Sequence, residues 1–395
     1  MAKKIELTRI ARVSTVPLFV YTLLRTQVEA IVNAGADVMI ITSPDDLNHS
    51  MQPIHNCQYK HINIAREISI LADIKSLIKL TSFFRKEKFD IVHSNTPKAG
   101  LLCAIAAKLA GAPIRLHTFT GQTWVTSKGI KRAILKFCDK IIGLLNTHCY
   151  ADSPSQRDFL IKNKIINAVK ISVLGKGSLA GVNLSRFRRE NFSEIDKKTI
   201  RNTVKISDDQ VVILFVGRLT KDKGIFELIE AFGKLVESKA NAVLLVVGPF
   251  EQGIEQKIKI HAQKHGDERI IFAGFCPQPE KFMAIADILC LPSYREGFGT
   301  VVIEAAAMEV PAIGTKIYGL TDAIVDGETG LLVEPGNIEQ LSNALKTLTS
   351  NPELRQKMAK NAKIRAIKEF DSKTLGNLMI DDYKNLLSND KTQSY

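Results

Sequence analysis

Short apolar runs recur along the chain, separated by longer stretches in which apolar residues return every three or four positions. Residues 37–42, 90–94, 113–119 and 170–174 carry the short runs in the first half; 211–216, 242–247, 269–273 and 288–291 carry them in the second. Runs that are apolar at nearly every position predict strands buried on both faces, and their alternation with helical stretches predicts parallel sheets covered by helices. The expected fold class is therefore α/β, with two Rossmann-like domains. The boundary falls near Gly175-Lys-Gly-Ser-Leu-Ala-Gly-Val-Asn183, where glycines follow a strand and the next segment, Leu184 to Glu194, is polar without a core period. This gives a first domain over 1–176, a linker over 177–187, a second domain over 188–370 and a C-terminal helix and tail over 371–395. Residues 352–387 read as two or three helices.

Composition narrows the class. A chain of 395 residues exceeds one ordinary core and suits two. Hydrophobic residues make up 45% and mean hydropathy is +0.01, in the range of soluble globular proteins. No apolar run reaches the roughly 20 residues that span a bilayer, since even 99–112 is broken by Lys108. The start, Met-Ala-Lys-Lys followed by Glu6 and Arg9, lacks the apolar stretch of a signal peptide, so a cytoplasmic location is expected. Six cysteines without a C-x-x-C pair favour buried free thiols over a metal or disulfide frame. The net charge of +13 lies entirely in the first half: residues 1–180 hold 25 Lys and Arg against 12 Asp and Glu, and the remainder holds 29 of each. An anionic partner for that half is implied, and the lack of stacking aromatics among the basic residues argues against nucleic acid.

Two segments of the second half carry candidate chemistry. In Tyr294-Arg-Glu-Gly-Phe-Gly-Thr-Val-Val-Ile-Glu304, a helix predicted over 300–308 leaves backbone N–H groups around Gly297–Gly299 at a positive helix end, where a phosphate or sugar oxygen can sit. Glu296 precedes that end and Glu304 lies a turn inside it. A diphosphate between them would have one carboxylate near its sugar and one near its ribose; a helix cap with a solvated glutamate explains the same spacing. Upstream, the strand 211–216 ends in Gly217 and Arg218, and the loop beyond carries Lys223 and Gly224. In an open α/β sheet, ligands bind beyond the carboxyl ends of strands, where both cations project.

With Gly248-Pro249, Phe272-Ala-Gly-Phe275, Pro292-Ser293, Glu304-Ala305 and Gly327-Glu-Thr-Gly-Leu-Leu-Val333, these segments resemble the family-4 glycosyltransferases of the GT-B fold, retaining enzymes with an E-x7-E motif. The resemblance implies two parallel-sheet domains facing across a cleft, with the last helix crossing back to the first domain. It implies that Arg218 and Lys223 bind the donor diphosphate, Glu304 the ribose hydroxyls and Glu296 the donor sugar, with the amides of Phe298, Gly299 and Thr300 holding sugar and phosphate. Glu296, Arg218 and Lys223 are the catalytic candidates. The donor, a nucleotide diphosphate sugar and most often a UDP-sugar, is a co-substrate, so no cofactor is expected. Segments 93–100 and 151–155 are similar to members that build bacterial surface polysaccharide such as O-antigen or capsule, implying a hexose or N-acetylhexosamine transferred to a saccharide or polyprenyl-diphosphate-linked acceptor. The first loop, Ser14-Thr-Val-Pro17, lacks the family's glycine pair. Thr120 stands where members carry a histidine, and His117 comes three residues earlier; both are acceptor-side candidates.

Other patterns are weighed beside these. No nucleophilic triad or metal cage is visible, and the acidic pairs 45–46, 208–209 and 381–382 do not form the D-x-D metal motif, so no metal is expected. Gly175-Lys-Gly-Ser-Leu-Ala180 matches a dinucleotide fingerprint, but no amphipathic helix follows it. In 128–141, Ile130, Ile134, Phe137 and Ile141 form a helical stripe flanked by Lys128, Lys131, Arg132, Lys136 and Lys140. That helix either rests on anionic lipid, with Lys128, Lys131, Arg132 and Lys136 as contacts, or turns its stripe to the core. A UDP-sugar 2-epimerase and a non-catalytic nucleotide-sugar-binding scaffold remain as alternatives to sugar transfer.

Overall fold

The computed structural model describes residues 5–44, 53–65, 69–265 and 267–392. The expected acidic pair 45–46 and the first four residues lie outside these. The chain forms two compact units, one of residues 1–181 with 372–395 and one of residues 182–371.

The first unit runs β1 (Arg9–Ser14), α1 (Pro17–Phe19), α2 (Arg25–Asn33), β2 (Asp37–Thr42), β3 (Cys57–His61), α3 (Ile70–Glu87), β4 (Ile91–Ser94), α4 (Pro97–Ala110), β5 (Ile114–Phe119), α5 (Gly129–Leu145), β6 (His148–Ala151), α6 (Pro154–Lys162) and β7 (Ile171–Val173). Its seven strands order as β3-β2-β1-β4-β5-β6-β7, and their pairings are parallel. Ile10, Val38, Ile40 and Ile91 face one apolar layer, while Ala11, Val13, Ile41 and Val92 face the other. Helices on both sides leave no polar face, which is why these strands read as unbroken apolar runs.

The second unit runs α7 (Glu194–Thr203), β8 (Val211–Val216), α8 (Ile225–Glu237), β9 (Ala242–Val247), α9 (Glu255–His265), β10 (Ile270–Gly274), α10 (Glu280–Met283), β11 (Ile288–Leu291), α11 (Thr300–Ala307), β12 (Ala312–Thr315), α12 (Leu320–Ala323), β13 (Gly330–Val333), α13 (Ile338–Ser350) and α14 (Pro352–Glu369). Its six strands order as β10-β9-β8-β11-β12-β13, again parallel. The last helix, α15 (Ser372–Thr392), belongs to the first unit. It packs beside α2, and Leu375, Met379, Tyr383 and Leu387 enter the core on that side of the sheet.

The eight expected strands all form within a residue or two. Strands β1, β3, β6, β12 and β13 lie outside the expected runs, for physical reasons; in β1, Arg9 and Arg12 interrupt the apolar run. Gln58, Lys60 and His61 of the edge strand β3 are exposed, so it shows no apolar run. β6 carries His148 and Tyr150 in polar contacts, and β12 and β13 span four residues each with a glycine. The six cysteines are free thiols, three of them buried.

Candidate active site

Both sheets reverse strand order once, between β1 and β4 and between β8 and β11. Loops leaving the carboxyl ends of such a pair diverge to opposite faces of the sheet and open a crevice between them. In the second unit these are Gly217–Gly224 after β8 and Pro292–Gly299 after β11. Tertiary contacts bind the two loops together. The Tyr294 amide donates to the Asp222 carbonyl (2.8 Å), and the Arg295 guanidinium holds the Asp222 carboxylate (2.8 Å). The Tyr294 hydroxyl donates to Glu227 at the start of α8 (2.7 Å). Gly224 sits at φ +70°, and a Cβ there would stand 2.1 Å from the Pro292 carbonyl oxygen, so only glycine allows the loops this approach.

The clamp brings Lys223 to Glu296. Lys223 Nζ donates to Glu296 Oε1 at 2.5 Å, and the Ser293 hydroxyl donates to the same oxygen at 2.8 Å. Ser293 is fully buried and its carbonyl accepts the Thr315 hydroxyl, so the carboxylate rests on a fixed base. Arg218 lies apart from this pair: its side chain is half exposed, 3.8 Å from Glu251. Beyond Glu296, the Phe298 ring is buried against Phe370 (5.1 Å), which anchors the segment leading into α11. Gly299, at φ +88°, is the N-cap of α11, and the amides of the first helical turn have no acceptor within the helix. The structure thus brings together Lys223, Glu296 and the amide end formed by Phe298, Gly299 and Thr300.

Glu304 lies on the first turns of the same helix. Burial lifts its carboxyl to about 7, against the pull of Arg186 and with Glu280 adding to the rise. Arg186 is itself held by Glu280 through two bonds of 2.9 and 2.7 Å. The cation that could neutralise Glu304 is therefore already engaged, and among the described residues no donor reaches the Glu304 carboxylate. A half-buried acceptor without a donor suits a ligand that brings hydroxyls.

In the first unit the corresponding loops follow β1 and β4, and they too are joined. The Thr15 amide donates to the Thr96 hydroxyl (3.0 Å), and the two hydroxyls lie 2.8 Å apart. The acceptor-side candidates lie elsewhere, His117 within β5 and Thr120 just after it. His117 is buried beneath α4, where a Cβ on Gly100 would meet its ring at 2.4 Å; Nδ1 contacts the Ser94 hydroxyl (2.9 Å), and burial pulls its pKa down to about 3. Thr120 is partly exposed and its carbonyl accepts the Gln122 and Gln156 side-chain amides. Unforeseen is a fully buried network around Arg12. Its guanidinium donates to Tyr383 (2.8 Å) and Gln27 (2.8 Å) and approaches His93 Nδ1 (3.2 Å). His93 is buried, and burial and Arg12 hold it well below the ordinary imidazole range. Arg12 and Tyr383 lie 371 positions apart, so sequence spacing carries no sign of the contact.

The stripe on α5 does not face the core. Ile130, Ile134 and Phe137 are 80%, 51% and 63% exposed, Ile141 is half-buried and Leu144 beyond it is 74% exposed, while Leu135, Asp139 and Ile142 make the inward contact. Lys128, Lys131 and Arg132 are exposed beside the stripe. Lys136 turns back onto the unit, over the Trp124 ring (5.2 Å) and against the Asn163 side chain (3.0 Å). Among the described residues, Glu230, His261 and His265 of α8 and α9 hold their ligand atoms within 4.8 Å of one another, a grouping able to take a metal ion. No helix among them is long and apolar enough to cross a membrane.

Residues 196–365 match the family of glycosyl transferases group 1, and residues 21–177 match the glycosyl transferase 4-like domain. The chain is 34% identical to the capsular polysaccharide biosynthesis glycosyltransferase CapM of Staphylococcus aureus, over 89% of this chain and 91% of that protein. It is 27% identical to the UDP-Gal:alpha-D-GlcNAc-diphosphoundecaprenol alpha-1,3-galactosyltransferase of Escherichia coli, over 78% of each. Its fold matches that of sucrose-phosphate synthase from Thermosynechococcus elongatus with a TM-score of 0.82, 22% identity, and coverage of 97% of this chain and 100% of that one.

Proposed function

The chain belongs to the group 1 glycosyl transferases, and from that premise we propose that it moves a hexose or N-acetylhexosamine from a UDP-sugar to a lipid-linked saccharide during synthesis of a bacterial surface polysaccharide. The acceptor class follows the two relatives named above, one of capsule synthesis and one acting on a diphosphoundecaprenol-linked sugar.

The observation that carries this reading is the clamp of the β8 and β11 loops at the switch point of the second sheet. It sets a cation, a carboxylate and a helix amide end side by side. In the proposed chemistry the bond between the anomeric carbon and the diphosphate oxygen breaks. Negative charge grows on the departing UDP, and Lys223, Arg218 and the amides of Phe298, Gly299 and Thr300 face that charge. Glu296 accepts hydroxyls of the donor sugar, and Glu304 those of the ribose. The acceptor hydroxyl enters on the face the leaving group vacates, giving retention, and its proton passes to the departing diphosphate. These groups supply the charge stabilisation without a metal. Work at the cytoplasmic face of the membrane, with α5 touching anionic lipid, fits a lipid-linked acceptor.

The test is a set of thermal melts with UDP, GDP, ADP, dTDP and a panel of UDP-sugars in EDTA, beside Arg218→Ala and Glu304→Ala. The expected result is stabilisation by UDP that one sugar enlarges and both variants lose. No nucleotide effect on folded protein would overturn the donor assignment. Transfer to a lipid-linked saccharide, with an axial or equatorial product bond matching the donor, would separate this reading from an epimerase or a scaffold.

A further inference from the structure

The exposed stripe of α5 ends in a hollow. Past Phe137, roughly 10 Å along the helix at 1.5 Å per residue, Leu144 forms one rim of a cavity of ≈ 500 Å³ whose wall includes Lys140, Lys164, Ile165, Asn167 and Lys170. Among the described residues no carboxylate lines it. Lys170 Nζ donates to the Gly143 and Leu144 carbonyls (3.0 Å each) and so offsets the negative end of α5. Lys140 and Lys164 are exposed and have no acidic partner among the described residues.

A second apolar stripe lies in the same helical layer. On α3, Ile70, Leu71, Ile74 and Ile78 are 73%, 83%, 50% and 64% exposed. α4 packs between α3 and α5, so both stripes belong to one side of the first sheet. Large aliphatic side chains are rarely left in water in such continuous rows on a monomer.

We propose that this side of the first unit docks on an anionic bilayer, with a lipid phosphate seated in the hollow between Lys140 and Lys164 while Ile130, Ile134, Phe137 and Leu144 enter the interface. The inference rests on the membrane contact proposed above and deepens it by naming the headgroup subsite and its two cations. The charge pattern decides the occupant: apolar rows edged by lysine and arginine match anionic headgroups over acyl chains, whereas a second copy of this face would set like charges opposite one another. The hollow lies by the carboxy-terminal end of α5, which returns to the edge where the parallel strands begin. It is therefore at the opposite end of the sheet from the loops after β1 and β4, and headgroup binding leaves those loops free.

The experiment is co-sedimentation of the full chain with phosphatidylcholine vesicles, with and without phosphatidylglycerol. Wild type should partition onto the anionic vesicles only. Lys140→Ala with Lys164→Ala should lower the partition coefficient about thirtyfold, at roughly fivefold per lysine, and Ile134→Ser with Phe137→Ser should abolish it. The charge-matched control Lys257→Ala with Lys264→Ala, in the second unit, should match wild type. Stabilisation by UDP, measured on each variant, should be unchanged, so loss of lipid binding with an intact nucleotide response is distinct from failure of the donor assignment. Unaltered vesicle binding by the Lys140 and Lys164 variant, or dimerisation in solution lost in the stripe variant, would overturn the proposal.

Discussion

Replacing Glu304 by Gln should make the protein more stable without ligand and less able to hold a nucleotide. Burial raises the folded-state pKa of this carboxyl from its ordinary 4.5 to about 7. A raised carboxyl pKa means that the folded chain binds a proton the unfolded chain has released, so stability falls as pH rises from about 4.5 and reaches its floor above about 7. The gap, at 1.36 kcal/mol per pH unit, puts the full cost of ionisation at roughly 3 kcal/mol. Glutamine has nearly the same shape and no charge, so the cost disappears. For a unit of this size, 1 kcal/mol moves the melting temperature by about 2–4 °C, and the Gln variant should therefore melt roughly 6–12 °C above wild type at pH 8 and together with it at pH 4.5. Differential scanning fluorimetry across pH 4.5–8.5 reads this directly. A difference that does not widen with pH, or a Gln variant that melts below wild type at pH 8, would refute the account of Glu304 as a strained, unpartnered acid.

Ribose hydroxyls favour the ionised Glu304, so UDP affinity should rise as pH passes through 7, and isothermal titration in buffers of different ionisation heat should detect proton release on binding. Gly224→Ala forces a Cβ against the Pro292 carbonyl at a positive φ; it should cost about 1–3 kcal/mol and remove the UDP-induced shift in the same melts, because the two loops can no longer meet. Trp124 is the only tryptophan, and its indole N–H donates to Asp139 (2.7 Å), whose carboxyl burial raises to about 6. Tryptophan emission should titrate near pH 6, and the step should vanish in Asp139→Asn. Arg12→Met leaves Tyr383 and Gln27 without their buried donor, so it should cost about 2–4 kcal/mol and expose α15 to trypsin at Lys384, as mass spectrometry of limited digests would show.

The parts legible in the sequence share a cause. A strand buried on both faces must be apolar at nearly every position, so the eight apolar runs were visible, and a glycine at a forced turn marks itself, as at Gly217, Gly224 and Gly299. Strands whose run is broken by polar residues or glycine were not visible: β3 has one face in water, and β12 and β13 each carry a glycine within four residues. The α5 stripe shows the limit most clearly. Its periodicity established an amphipathic helix, yet a core face and a docking face have the same period, and only the packing of Leu135, Asp139 and Ile142 revealed which side turns inward.

The same division holds at the site. Residue type and spacing determined that a cation follows β8, that two glutamates bracket the start of α11, and that both stand where a parallel sheet presents its ligand loops; these are properties of local chain geometry. Tertiary structure alone decided that Lys223 rather than Arg218 meets Glu296, that Glu304 is raised by burial while Arg186 is taken up by Glu280, that His117 is sealed beneath Gly100, and that Arg12 ties the last helix to the first strand. Each of these depends on which of several chemically equivalent partners comes within about 3 Å. That distance is set by the packing of elements far apart in the chain, and no local pattern encodes it.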